Sequence, residues 1–97
     1  MLKFIKFIDT ATTDEHAMPA DKVNLIEVTD NNTVKIFTQN SGDEADNVVE
    51  ITCVGTTNAT TVCDFIIKKV ANNRQAITEV SAASHSKITT VAYSAGA

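Results

Sequence analysis

Apolar and polar residues alternate with a period of two along much of this chain, and that pattern predicts strands. Residues 33–39 alternate most cleanly, with Val34 and Ile36 pointing one way and Thr33, Lys35, Phe37 and Gln39 the other. Residues 23–29, rich in β-branched side chains, precede them, and Asp30, Asn31 and Asn32 intervene. Asn and Asp tolerate positive φ and bond their own backbone in tight turns, so residues 18–39 read as a β-hairpin whose start is set by Pro19 restricting Met18. In the first arm Val23 and Leu25 share one face while Ile26 and Val28 share the other. Either both faces are partly apolar or a bulge near Leu25 switches the facing. The hairpin is expected to be the central ribbon of the sheet.

Residues 2–8 are nearly continuously apolar apart from Lys3 and Lys6, which fits a strand buried on most of both faces. Residues 10–17, TATTDEHA, show no period and read as a surface loop. Strand character returns over residues 48–54, with Val49, Ile51 and Cys53 opposite Glu50 and Thr52. After GTTNATT the period changes to that of a helix: Val62, Phe65, Ile66 and Val70 recur on one stripe, widened by Cys63 and Ile67, over residues 62–72. Thr61 followed by Asp64 resembles a capping box, while Lys68, Lys69 and Arg74 suit the negative end of the dipole and Asn72-Asn73 ends the helix. Residues 76–80 and 87–93 read as short terminal strands around SAASHS, with Ile88 facing as Thr90 and Ala92 do, and Thr89, Val91 and Tyr93 facing oppositely. The expected fold is α+β: one domain over residues 1–97, built as a mainly antiparallel sheet of about five to six strands with one amphipathic helix packed on one face.

Composition narrows the function classes. With 97 residues, 43% of them apolar, three Gly and one Pro, the chain supports one modest core and no cleft between domains. Eight Lys and Arg stand against 12 Asp and Glu, so a nucleic-acid partner, whose affinity would come from neutralised phosphates, is not expected. No apolar run approaches the ~20 residues of a membrane span, and MLKFIKFID is broken by Lys6 and Asp9, so no membrane partner and no secretion signal are expected. Cys53 and Cys63 fit neither a C-x-x-C nor a zinc spacing and lie on apolar faces, where they read as buried small hydrophobes. A disulfide between them would need an oxidising medium.

Candidate chemistry is sparse. His16 and His85 both fall in predicted loops, beside Asp14 and Glu15 in one case and Ser84 and Ser86 in the other, with nothing to bring the loops together and no nucleophile elbow. Asp43-Glu44-Ala45-Asp46 spells a helicase signature, but the apolar strand and glycine-rich phosphate loop that such chemistry requires are missing, and calcium-loop spacing is missing too. It reads as a solvated acidic turn. The N-x-T matches at Asn31 and Asn58 are idle without secretion. No catalytic residue, cofactor or metal ligand is therefore assigned. Phe37, on the polar face of its strand, packs against a loop or long side chain or else meets a neighbouring subunit. Two-sided apolar strands need a helix or another chain on one face, so the candidate partner-interface residues are Val23, Leu25 and Phe37, with Lys3 and Lys6 on the first strand.

The order KFIKFID, MPADKVNLIEV, TVKIFT, DNVVEIT and CDFIIKKV resembles the small structural proteins of tailed bacteriophages, marine ones especially. The resemblance covers most of the chain through short motifs. It implies a virion protein without an active site, most simply a decoration or cement protein on the surface of the assembled major capsid shell, made in the host cytoplasm. The alternatives are a tail or neck structural protein, a small binding module outside the virion, and an enzyme, which would require His16, His85 or the acidic loop to converge; besides the major capsid protein or other virion proteins, a second copy of the chain in a homo-oligomer is an expected partner.

Overall fold

The computed structural model describes residues 3–39, 46–55, 58–72 and 77–95. Among them the chain forms strands β1 (Phe4–Ile8), β2 (Glu15–Pro19), β3 (Val23–Asp30), β4 (Thr33–Thr38) and β5 (Asn47–Cys53), helix α1 (Ala59–Asn72), and strands β6 (Ile77–Val80) and β7 (Ile88–Ser94). A single 3-10 turn, Ala20–Lys22, joins β2 to β3. The fold is α+β, with the helix packed on a sheet against β3, β4 and β5 and touching β6. Leu2, Asp43, Glu44, Asn73, Arg74 and Ala76, which the sequence reading placed in strands, a turn or the helix end, lie outside the described residues.

The strands divide into two sheets where one was expected. β2-β1-β6 has β1 and β6 parallel, and β3-β4-β5-β7 is antiparallel throughout. The additional strand is β2, from a stretch read as loop. It pairs with β1 so that His16 lies opposite Phe7 and Met18 opposite Ile5. Its inward positions thus carry a histidine and a methionine, and its outward ones Glu15, Ala17 and Pro19, which hides the alternation.

The hairpin forms as expected, with Asn31 and Asn32 at its tip, but it is not the central ribbon. β5 takes the far edge of β4, pairing Ile51 with Val34 and Val49 with Ile36, which leaves β3 on the outside. The mixed facing of β3 is settled by a register shift between Val23 and Leu25. One extra residue, Asn24, turns Val23 to the side of Ile26 and Val28, opposite Thr38, Ile36 and Val34, while Leu25 points outward opposite Phe37. A second shift corrects the facing of β7: Cys53 pairs with Ile88 and Thr52 with Thr90, so Thr89 is the extra residue. Ile88 consequently faces the core with Val91 and is not on the face of Thr90 and Ala92.

The helix begins three residues before the expected start, because Ala59 is itself buried and extends the stripe Val62, Cys63, Ile66. Its first amide donates to the Asn31 carbonyl at 3.1 Å, and the amide of Cys53 donates to Asn32 at 2.7 Å, so the hairpin tip satisfies both the helix start and the end of β5. Asp64 lies beyond the first turn, which holds no acid, so Thr61 and Asp64 form no capping box. Gly55, at φ +74°, supplies the left-handed residue between β5 and the helix. At the other end Lys3 Nζ donates to the carbonyls of Val70 and Ala71 at 3.2 and 3.4 Å, placing a cation at the negative end of the helix from a distant strand.

Ile5, Phe7, Val34, Ile36, Val49, Ile51, Val62, Ile66, Val80 and Val91 form one core, each 1% exposed or less. Cys53 and Cys63 are buried in it as free thiols, and burial pushes both thiols up from their ordinary pKa. At the corner where β1 meets β7 the closure is polar. Asp9 Oδ1 accepts the amides of Ala11 and Thr12, and its Oδ2 accepts the amide of Tyr93 at 3.1 Å. Thr10 donates its amide to the Val91 carbonyl and accepts the Val91 amide on Oγ1, both at 2.9 Å. The turn is tight enough to hold Thr13 at φ 62°, a strained conformation for a β-branched residue. The amides of Tyr93 and then Thr12 hold the Asp9 carboxyl below its ordinary pKa.

Two outcomes follow for stability. Phe7→Ala removes a ring that is 0% exposed and should lower the free energy of unfolding by about 3–5 kcal/mol, read from urea denaturation. A carboxyl whose folded pKa is depressed stabilises above its unfolded pKa, and that contribution is lost as pH falls through the folded value. Wild type should therefore lose stability on acidification more steeply than Asp9→Asn, which is less stable at neutral pH because its amide nitrogen meets backbone donors. Urea midpoints between about pH 7 and pH 3 read both effects.

Candidate functional site

The outward face of the four-stranded sheet carries three rows set by its register. Glu27, Lys35 and Glu50 form a row of alternating sign, and Thr33, Thr52 and Thr90 a row of threonines, both favourable cross-strand combinations. The third row is apolar: Leu25, Phe37 and Val48 lie side by side on β3, β4 and β5. Leu25 is 49% exposed and the other two are half-buried.

The inner face of β3 also carries apolar surface. Val23 and Ile26 line a groove of about 280 Å³ against the helix, with Ile67 and Val70 opposite and Ile5 at its floor. Ile67 is 48% exposed. Between these two surfaces runs the outer edge of β3, eight residues long, and among the described residues its backbone pairs only with β4. The opposite edge of the same sheet, β7, is closed by Asp9 and Thr10.

The five candidate interface residues thus fall in three places. Leu25 and Phe37 come together as neighbours in the outer row. Val23 lies on the core side, in the groove. Lys3 is engaged with the helix C-terminus, and Lys6 crosses the outer face of the three-stranded sheet to Glu15 at 3.0 Å and Glu79 at 4.0 Å, a pairing that raises its pKa. Lys3 and Lys6 therefore have intramolecular partners.

A second concave site opens where the two sheets part, a cleft of about 530 Å³. It is lined by the inward residues of four strands: His16 and Met18 of β2, Thr38 of β4, Asn47 of β5 and Tyr93 of β7, with Gln39 beside them. Glu15 and Lys22 also line it. The rings of His16 and Tyr93 stack with centroids 3.8 Å apart and planes 11° from parallel. Thr38 is 0% exposed, and its Oγ1 has no hydrogen-bond partner. The sequence reading passed over this cleft, although a signal was there. Thr38 continues the inward series Val34, Ile36, and Asn47 begins the series Val49, Ile51, so polar residues occupy two positions where the alternation demands apolar ones.

The remaining candidates separate. His85 packs edge-on against Phe65, centroids 4.6 Å apart, and accepts the Lys87 amide, while Ser84 Oγ donates to the Glu79 carbonyl. His16 is engaged with Tyr93 instead. Asp46 accepts from the Asn24 side chain at 3.0 Å. Among the described residues no group of three or more His, Cys, Asp or Glu is placed to hold a metal ion, and no helix is long and apolar enough to cross a membrane. No protein-family model, curated protein or solved structure matches this chain.

Thr38→Val replaces an unpaired buried hydroxyl with a methyl of the same shape and should stabilise the protein by about 1 kcal/mol, raising the melting temperature by roughly 4–8 °C. A fall of that size in thermal unfolding would mean that the hydroxyl has a partner in the folded protein.

Proposed function

We propose that this protein is a structural component of a tailed-phage particle, binding the assembled shell of major capsid protein as a decoration or cement protein and acting through contact without catalysis. The virion setting is supported by the resemblance in the order of elements. The mode of contact is supported by one observation above the others, the edge of β3, unpaired among the described residues, with apolar surface on both sides of it. A partner segment that extends along this edge gains main-chain hydrogen bonds, and its alternate side chains fall over the Leu25–Phe37–Val48 row and into the Val23–Ile26–Ile67 groove. Glu27 and Asp30 on β3, and the net charge of -4, favour a basic or neutral partner segment over a second copy of the same edge. A protein that binds only the assembled shell stabilises it by mass action.

Mass spectrometry and denaturing gels of purified particles test this reading. The wild-type chain should be present at a copy number tied to that of the major capsid protein. Leu25→Lys, a substitution at an exposed position, should change unfolding free energy by no more than about 0.5 kcal/mol yet remove the chain from particles. Particles without the wild-type chain, or with the variant at full copy number, would contradict it.

A further inference from the structure

Resting on the strand addition proposed above, we infer that the outer edge of β3 takes one kind of partner: an antiparallel segment of the pattern apolar, cation, apolar, apolar, with its Lys or Arg opposite Glu27. Two register shifts, between Val23 and Leu25 and between Val28 and Asp30, confine the regular part of β3 to Leu25, Ile26, Glu27 and Val28. Over that stretch the backbone bonds, among the described residues, to β4 alone. A bulge breaks the ladder, so these four residues set what an added strand has to present. The four-stranded sheet is antiparallel throughout, and antiparallel pairing is the more stable per residue, so the segment runs against β3.

The cross-strand rows fix the side chains. On the outer face the row Glu50, Lys35, Glu27 alternates in sign and ends at β3 on a negative charge. A cation about 4.8 Å further along that row continues the alternation, whereas a carboxylate there sets like charges side by side. An apolar residue opposite Leu25 extends the row Val48, Phe37, Leu25. On the inner face, apolar residues opposite Ile26 and Val28 lie over the groove and cover Val28 and Ile67, which are 40% and 48% exposed. A second copy of the same edge does not meet these demands. β3 reads VNLIEVTD and holds no Lys or Arg, so no register between two copies gives Glu27 a cation.

Amide chemical shifts of the free full chain, titrated with the capped peptide Thr-Ile-Lys-Val-Leu-Thr and with the same peptide carrying Glu in place of Lys, test the assignment. The Lys peptide should produce saturable shifts centred on residues 25–28, Ile67 and Val70, and should bind about three- to tenfold more tightly than the Glu peptide. Glu27→Gln, at an exposed position, should bring the two affinities within about twofold of each other while the melting temperature stays near that of wild type. No binding by the Lys peptide, equal affinity for the two peptides in wild type, or a preference that survives in Glu27→Gln would each overturn it. So would β3 shifts that grow with protein concentration alone, which would make a second copy the occupant. Both titrations use the free protein, so a chain missing from particles would sink the particle setting and leave this specificity standing, whereas equal peptide affinities would sink the specificity alone.

Discussion

The two sheets share one core and are joined along one pair of edges, where the joint is made by Asp9 and Thr10. Their side chains and backbone take up the amides of Val91 and Tyr93 and the carbonyl of Val91, the groups that β7 turns away from β5. A carboxylate suits this place because each of its oxygens accepts without needing to donate, and three amides converge on it. With β1 fixed against β7, Ile5 and Phe7 are brought over Val49, Ile51 and Val91, and the helix completes the enclosure along the other side.

The same joint sets where the molecule is open. An outer strand is a template for pairing, and folded proteins blunt most of these edges. β7 is blunted by the Asp9–Thr10 turn, and β2 is short and ends in Pro19. β3 is longer and has apolar surface on both faces. A protein that leaves its longest outer strand in this state either risks association or uses it, and the particle-binding proposal takes the second course. Where the sheets diverge beyond the joint, the inward positions change from Val and Ile to Thr, Asn and His, so the core ends in a polar cleft.

Period-two and helical patterning made β4, β5, the helix stripe and the burial of both cysteines legible, since each has one apolar face against one polar face. The Asp30–Asn32 turn was legible for the separate reason that its residues favour tight turns. β2 was hidden because its inward residues are His16 and Met18, and contacts across 80 or more positions, as between Asp9 and Tyr93, leave no local trace. Bulges at Asn24 and Thr89 each add one residue and invert the facing beyond them, which moved Val23 and Ile88 to the core side. Of the candidate interface, Phe37 was found because it interrupts a polar face, and Leu25 because β3 carries apolar residues on both faces. Lys3 and Lys6 stood out as charges in an apolar run, and the structure gives both of them partners within the chain. The cleft could have been found from the same alternation by asking where it fails, at Thr38 and Asn47.

One sheet is closed at its β7 edge and, among the described residues, open at its β3 edge, and residue-resolved amide hydrogen exchange of the free protein measures that asymmetry directly. Val91 and Tyr93, though on an outer strand, should exchange as slowly as the amides of β4 and β5, because Thr10 and Asp9 hold them, while alternate amides of β3 between Leu25 and Asp30 should exchange orders of magnitude faster. Equal protection of the two edges, or fast exchange at Val91 and Tyr93, would contradict it.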